Sequence, residues 1–300
     1  MSTPSDNNPV EAYALFEDEH WWFAGRRQIM HRIIGRLMEP STSRLIVDVG
    51  CGPGGNIASF AAMYRCLGVD TSIPAIDLAR RRFPGVEFVL GIAPRDIPEH
   101  AAEADLWLIM DVLEHVDDDL GMLTALVAAA KPGALFFITV PADPSLWSPH
   151  DDAAGHRRRY TQPTLRKLWK ALPVEERMLS AYNARLYWPV KLIRSLTAWR
   201  GRGHGAVEAA GLDLRFPPTP FNGILTALLT NEAMRLTGAL DGRGVGYARG
   251  VSLLAVLERT SGDVEAPSTD AVPTSALTQG EMGLRSAEGW RRSEGVLQDP

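Results

Sequence analysis

The sequence predicts an α/β fold built on a mainly parallel sheet, and three observations support this prediction. Short apolar runs of strand length alternate with longer stretches of helical periodicity. The first run ends in a glycine-rich turn, VDVGCGPGGN, where a strand would pass into a helix. The second run ends in an aspartate, Asp70. Strands that alternate with helices form βαβ units, which place their strands in parallel.

The predicted elements follow one another along the chain. Apolar runs with turn residues at their ends predict strands at 44–50, 65–70, 86–91, 105–112, 134–141, 174–182 and 250–259. Helical spacing predicts helices at 11–38, from about 56, at 72–83, 118–131 and 161–172.

Two regions interrupt this alternation. Residues 183–249 are a helical insertion before the last strand, rich in Arg, Trp and Pro. Residues 261–300 are rich in Ser, Thr, Gly, Glu and Pro without periodicity, which predicts disorder. We therefore expect a helical lid at 1–42, a main domain at 43–260 that contains the insertion, and a disordered tail.

Composition limits the class of protein. The chain has 300 residues, 45% of them hydrophobic, and a net charge of −5, which argues against a general nucleic-acid binder. Residues 150–202 are nevertheless locally basic. Two cysteines cannot form a disulfide framework, and neither a signal peptide nor an unbroken membrane span is evident. We expect a cytoplasmic protein.

The glycine turn forms a D-x-G-x-G-x-G motif from Asp48, Gly50, Gly52 and Gly54. Glycine lets the backbone approach a ligand, and the following helix offers free N–H groups. Asp70 at the end of the next strand can accept both hydroxyls of a ribose. A turn without a ligand, an NAD site and an S-adenosylmethionine (SAM) site fit this pattern. Asp48 favours SAM, because a carboxylate attracts its ammonium group but repels a pyrophosphate.

The segments VDVGCGPGG, LGVD, DVLEHV and KPGALFFITVP together resemble class I SAM-dependent methyltransferases over residues 44–141. The resemblance implies a Rossmann-like, seven-stranded sheet whose last strand is antiparallel. It also implies a set of cofactor-binding residues, and this set is Asp48, Gly50, Cys51, Gly52, Gly54, Asp70, Thr71, Ile92, Ala93, Asp111 and Val112. Relatives often carry an acid that contacts the adenine, where this chain has Ile92; Asp96 or the backbone would replace it.

The flanks EHWWFAGRR and HDDAAGHRRRY resemble a bacterial subgroup of these methyltransferases, and the Trp pair is partly similar to ubiquinone-pathway O-methyltransferases. In the first flank, Trp22 could cover the sulfonium, and Arg26 or Arg27 could bind the SAM carboxylate. Alternatively, the tryptophans are packing anchors and the arginines are solvated. His20 is a further candidate base.

Asp111, Glu114 and His115 follow the fourth predicted strand and allow three interpretations. In the first, they serve structure and backbone contacts to the cofactor; in the second, His115 is a general base or a substrate ligand. The D-x-x-E-H pattern also resembles the E-x-x-E-H metal motif of small-RNA 2′-O-methyltransferases, with His150 or His156 as a further ligand. Because Asp reaches less far than Glu, we expect no metal.

The segment HDDAAGHRRRY, residues 150–160, follows the fifth strand and should overhang the active-site edge of the sheet. His156 is the main candidate general base, because a histidine titrates near neutral pH. His150, Arg159 and Tyr160 are candidate acceptor-binding residues. Alternatively, these side chains lie in a solvated loop and pair with Asp151 and Asp152.

The insertion allows packing on the sheet, dimerisation, or peripheral membrane contact through 182–240, because basic amphipathic helices with tryptophan suit a bilayer interface. Together these features predict a SAM-dependent methyltransferase that acts on a small or lipid-linked, anionic acceptor, on oxygen. A non-catalytic SAM- or S-adenosylhomocysteine-binding protein and an RNA methyltransferase remain alternatives.

Overall fold

The computed structural model describes residues 9–199 and 217–264. It contains a seven-stranded sheet in the order β3-β2-β1-β4-β5-β7-β6. The strands are Ser41–Val49 (β1), Tyr64–Asp70 (β2), Glu87–Leu90 (β3), Leu106–Met110 (β4), Leu135–Pro141 (β5), Val174–Tyr182 (β6) and Ser252–Arg259 (β7). Each lies within three residues of its predicted bounds, which confirms the predicted fold class.

The sheet is parallel from β1 to β5, and β7 runs antiparallel between β5 and β6. The strand order changes direction at β1, which has β2 on one side and β4 on the other. In open α/β sheets such a switch point forms a crevice at the carboxyl ends of the strands. The segments that follow β1, β2, β4 and β5 therefore converge there.

Helices cover both faces of the sheet, which explains why β4 and β5 are buried at every position. The helices before the insertion are Pro9–Glu19 (α1), Trp21–Leu37 (α2), Gly55–Ala58 (α3), Ile73–Arg82 (α4), Pro98–Glu103 (α5), Asp119–Ala129 (α6), Pro149–Ala154 (α7) and Gln162–Arg166 (α8). The buried core has one cluster on each face, with α6 on one and α2 on the other.

Two helix predictions were wrong in extent. The helix predicted at 11–38 is two helices, because His20 has an extended backbone and its Nδ1 caps α2 by accepting from the backbone N–H of Trp22 at 3.4 Å. The helix predicted at 161–172 is regular only in α8, and turns follow it.

The insertion contributes three described helices, Tyr187–Trp199 (α9), Thr219–Thr230 (α10) and Ala233–Leu240 (α11). Helix α10 packs closely on α2, because a Cβ at Gly25 would lie 2.9 Å from Cδ2 of Leu229. Asn222 of α10 accepts from the backbone N–H of Trp21 and donates to the carbonyl of Glu19, both at 2.9 Å. The insertion thus holds the junction between α1 and α2.

Some predictions concern segments beyond this description. The loose first residues, apart from 9 and 10, and the predicted tail after 264 lie outside the described residues. Within the described ranges, no helix has the length and apolar character needed to cross a bilayer.

Candidate functional site

The glycine loop after β1 forms the tight turn that the sequence predicted. Gly50, Gly52 and Gly54 have φ values of 71°, 55° and 85°, in the region that favours glycine. A Cβ at Gly50 would lie 2.9 Å from Cγ2 of Val112, and one at Gly54 would lie 2.8 Å from Phe88. The loop therefore packs directly on the segment that follows β4.

Asp70, at the end of β2, is joined to this loop. It is buried, and its Oδ2 accepts from the backbone N–H of Gly52 at 2.8 Å while Oδ1 accepts from that of Ser72 at 2.8 Å. A carboxylate has about four acceptor positions and can bind more than two donors; a contact between Asp70 and ribose hydroxyls stays a prediction. Thr71 lies between these partners and is half-buried.

Asp48 and Arg26 carry buried polar atoms whose hydrogen-bonding capacity is unused. Oδ2 of Asp48 and both Nε and Nη2 of Arg26 have no hydrogen-bond partner among the described residues. Burial, followed by the charge of Glu17, raises the pKa of Asp48 well above its usual value. Buried polar atoms without partners are rare in native proteins and indicate a missing ligand.

A SAM molecule fits these atoms. Its ammonium group would satisfy Asp48, and its carboxylate would accept from the free nitrogens of Arg26. The remaining nitrogen of Arg26, Nη1, donates to Asp111, which follows β4 and also accepts from Oγ1 of Thr139 at 3.1 Å. Arg27, the other predicted carboxylate ligand, instead donates to the carbonyl of Asp18 at 3.0 Å.

Trp22 packs against the protein. Its ring stacks on Tyr182 with centroids 5.6 Å apart and an angle of 13°. The guanidinium carbon of Arg26 lies 6.0 Å from the Trp22 ring and 5.2 Å from that of Phe23. This arrangement favours the packing alternative, and a role over the sulfonium stays a prediction.

The loop after β3 contains the predicted adenine contacts. Ala93 is buried, and the backbone N–H of Ile92 donates to Asp96 at 2.8 Å. The hydrogen bond from Arg95, followed by that from Ile92, lowers the pKa of Asp96. Both bonds occupy this carboxylate, and its contact with adenine stays a prediction.

Glu114 and His115 lie in a 3-10 turn, Leu113–His115, and both are fully buried. Neither carboxylate oxygen and neither ring nitrogen has a hydrogen-bond partner within the described part of the chain. Burial, followed by the charge of Asp111, raises the pKa of Glu114 well above its usual range. Burial, followed by the charge of His156, lowers the pKa of His115 to about 3. His115 is therefore a neutral imidazole at physiological pH.

The segment 150–160 is partly helical and organised by Asp151. Asp151 is buried and forms the capping box of α7 with Ser148. It accepts from Nε of Arg159 at 2.7 Å and lies 2.8 Å from Nδ1 of His156. Burial raises its pKa, but the hydrogen bond with His156 and the charge of Arg159 outweigh this and hold the pKa below its usual range.

This geometry corrects two predicted acceptor contacts. Arg159 is buried and also donates to the carbonyl of Ala142 at 3.0 Å, so it is a structural ion-pair partner and not an exposed anion clamp. Tyr160 is buried, and its hydroxyl donates to Asp119 at 2.7 Å. His150 remains half-buried, with its ring centroid 6.2 Å from that of His156.

Of the three candidate bases, the structure brings His115 and His156 together, with ring centroids 4.7 Å apart. His20 is buried at the start of α2, where it acts as the N-cap. Cys51 is buried within the glycine loop. Burial, followed by the charge of Asp70, raises the pKa of its thiol well above the usual value, and its contact with the cofactor stays a prediction.

Sequence reasoning missed Glu17 of α1. This residue is buried, its Oε2 accepts from the backbone N–H of Gly55 at 3.0 Å, and it pairs with Arg82 at 3.0 Å. A carboxylate at the start of α3 is favourable because free N–H groups point towards it. Its sequence signal was one acidic residue on a helix, which is too common to indicate a site.

Comparisons with known proteins agree with this geometry. Residues 46–133 match a family model described as a methyltransferase domain. The chain is 32% identical over 139 residues to a trans-aconitate 2-methyltransferase of Paracidovorax citrulli, and the matched region covers 45% of this chain and 50% of that protein. It is 31% identical over 154 residues to a ubiquinone biosynthesis O-methyltransferase of Coxiella burnetii, covering 46% and 65%. The chain thus spans about half the length of the first of these relatives.

Solved structures share the fold. One is the complex of the Haloferax volcanii Trm112 methyltransferase activator with a putative methyltransferase, at 17% identity and a TM-score of 0.50, covering 85% of this chain and 95% of that one. Another is the plantazolicin methyltransferase BpumL with a monoazolic analogue and SAH, at 14% identity and a TM-score of 0.50, covering 84% and 90%.

Proposed function

We propose that this chain, whose residues 46–133 match a methyltransferase-domain model, is a SAM-dependent methyltransferase that transfers a methyl group from SAM to an oxygen of a small acceptor. The observation that carries this proposal is the set of unsatisfied buried atoms on Asp48 and Arg26 beside the glycine loop. An amino-acid moiety has both the cation and the anion that these atoms require.

Oxygen as the methylated atom is supported by one relative named as an O-methyltransferase. A small acceptor is supported by the relative named for trans-aconitate.

When bound, SAM supplies an electrophilic methyl group on a sulfonium. The residues of this chain bind and orient the two reactants, with Asp70 at the ribose and Arg26 at the carboxylate. Arg26 is fixed by Asp111 at the end of β4, and Glu114 and His115 follow on the same turn. We place the acceptor oxygen beside His115 and His156, where its proton can be removed or displaced.

Cofactor affinity tests the placement of this site. Replacing Asp70 with alanine removes the ribose acceptor, so SAM binding should weaken by about 2–3 kcal/mol, a roughly 30- to 150-fold rise in Kd. Calorimetry with SAM measures this. Asp77→Ala on the exposed face of α4 is the matched control and should bind like the wild type. If the variant at Asp70 folds normally and binds SAM with unchanged Kd, the cofactor site is misplaced.

Turnover separates this proposal from its alternatives. Formation of S-adenosylhomocysteine is followed with trans-aconitate, a panel of small carboxylates and phenols, and total RNA as acceptors. Mass gain of one methyl group on a small molecule supports the proposal. Methyl transfer only to RNA would establish the RNA methyltransferase instead, and tight SAM binding without turnover on any acceptor would favour a binding protein.

Peripheral membrane contact stays a prediction. Helix α9 exposes four large apolar side chains next to Lys191, and these are Trp188, Leu192, Ile193 and Leu196. Such a face suits a bilayer interface or a lipid-linked acceptor. We expect co-sedimentation with anionic vesicles, and weaker binding after replacement of Trp188 and Leu192 with serine. If the wild type and the serine variant sediment equally with the vesicles, this face of α9 does not bind the membrane.

A further inference from the structure

A buried Glu–His–His cluster lies beside the proposed acceptor position. Glu114, His115 and His156 each offer one metal-ligand atom, and these atoms all lie within 4.8 Å of one another. The cluster has a fixed backbone, because the N–H of Arg157 donates to the carbonyl of Glu114 and its Nε donates to that of His115, both at 2.8 Å. Two separate segments of the chain are thereby held as one unit.

The unsatisfied atoms of this cluster indicate a ligand. Both oxygens of Glu114 and both ring nitrogens of His115 lack hydrogen-bond partners in the ranges that the structure describes, although both side chains are completely buried. Burying such groups without partners costs about 1–3 kcal/mol each. A bound cation would compensate this cost, because it accepts lone pairs from a carboxylate and two imidazoles together.

His156 is oriented as histidine ligands usually are. Asp151 lies 2.8 Å from its Nδ1, which leaves Nε2 as the nitrogen with an available lone pair. A carboxylate behind a histidine fixes its tautomer and raises its basicity towards a metal. Asp151 also forms an ion pair with the buried Arg159, and this pair fixes the carboxylate that orients His156.

From this geometry we propose that Glu114, His115 and His156 bind one divalent transition-metal ion, of the kind represented by Zn²⁺. Two imidazoles and one carboxylate are a donor set that suits Zn²⁺ or Fe²⁺ better than Mg²⁺. Three protein ligands leave a coordination position open. An acceptor oxygen would occupy that position, a role that rests on the proposed function, and the ion would lower the pKa of that oxygen.

This proposal replaces two expectations from the sequence. A metal was not expected because Asp111 is shorter than glutamate, but Asp111 is occupied by Arg26 and Thr139, and His156 takes the third ligand position. His156 was expected to remove a proton directly. A nitrogen whose lone pair binds a metal cannot also accept a proton, so the ion would instead lower the pKa of the acceptor oxygen, and the proton released would pass to water.

Zinc binding to the full chain tests the proposal without any acceptor. Protein stripped with EDTA is titrated with Zn²⁺ by calorimetry, and bound zinc is counted after gel filtration. The wild type should retain one ion per chain. His156→Ala and the isosteric Glu114→Gln should each raise the Kd by more than about 100-fold. His100→Ala removes a partly exposed histidine elsewhere and should bind like the wild type.

The result that overturns the proposal is a wild type that retains no zinc, or zinc that is retained equally by His156→Ala. Saturation with Mg²⁺ but not Zn²⁺ would overturn the assigned metal class. Co²⁺ gives a second readout, because its visible absorption should appear in the wild type and be lost in Glu114→Gln. SAM binding is measured on the same samples, so failure of the metal site is distinguishable from failure of the cofactor site.

Discussion

Replacing His156 with alanine is expected to lower turnover by about 10²–10⁴-fold, the range for losing the group that handles the acceptor's proton. SAM affinity should remain nearly unchanged, because His156 follows β5, whereas the predicted cofactor contacts of the sheet edge follow β1, β2, β3 and β4. Turnover is measured with the acceptor found by methyl-transfer screening, and SAM affinity by calorimetry. If the variant folds and turns over like the wild type, His156 takes no part in the reaction.

His100→Ala is the matched control, because this partly exposed histidine lies 3.4 Å from Glu87 and outside the Glu–His–His cluster. It should retain most of the activity. A chelator separates the two roles of His156. If EDTA abolishes wild-type turnover and Zn²⁺ restores it, His156 acts as a ligand; if EDTA has no effect, it acts as a base and the metal proposal is wrong.

Replacing Asp151 with alanine is expected to lower the free energy of unfolding by about 3–5 kcal/mol. The change removes both oxygens that pair with Arg159 and leaves that guanidinium buried without its counter-ion. It also removes the capping box of α7 and the partner of His156. Denaturant unfolding in EDTA measures the effect without a metal contribution.

Asp152→Ala is the control, because the neighbouring carboxylate is exposed and accepts only one described hydrogen bond, from Nε1 of Trp147. Its effect should stay below about 1 kcal/mol. Combining Asp151→Ala with Arg159→Met should recover part of the loss, because the uncompensated charge is then absent. Equal effects of the two aspartate substitutions would show that the buried pair contributes no special stability.

The sheet was predictable because its signals are local. Strands such as β4 and β5 are buried on both faces and are therefore almost entirely apolar. The glycine loop was predictable because Gly50 and Gly54 stand where no side chain fits. Asp70 was predictable from its place at a strand end, although its bonds to Gly52 and Ser72 were not.

The chemistry of the site was harder to predict because it depends on contacts between distant segments. The pairing of Arg26 with Asp111 joins α2 to the end of β4, and no local pattern indicates it. Arg159 was expected to face a ligand, since arginines in a polar segment are usually exposed. The structure buries it against Asp151 instead, and this burial supports the orientation of His156.

The contact of Asn222 with the α1–α2 junction has an energetic consequence. Asn222 bonds to the backbone on both sides of His20, and the helix that begins there carries Arg26. A molecule that displaces α10 would therefore be expected to shift Arg26, the residue proposed to receive the carboxylate of SAM. Binding at the insertion and binding at the glycine loop would then be thermodynamically linked, and each would change the affinity of the other by the same factor.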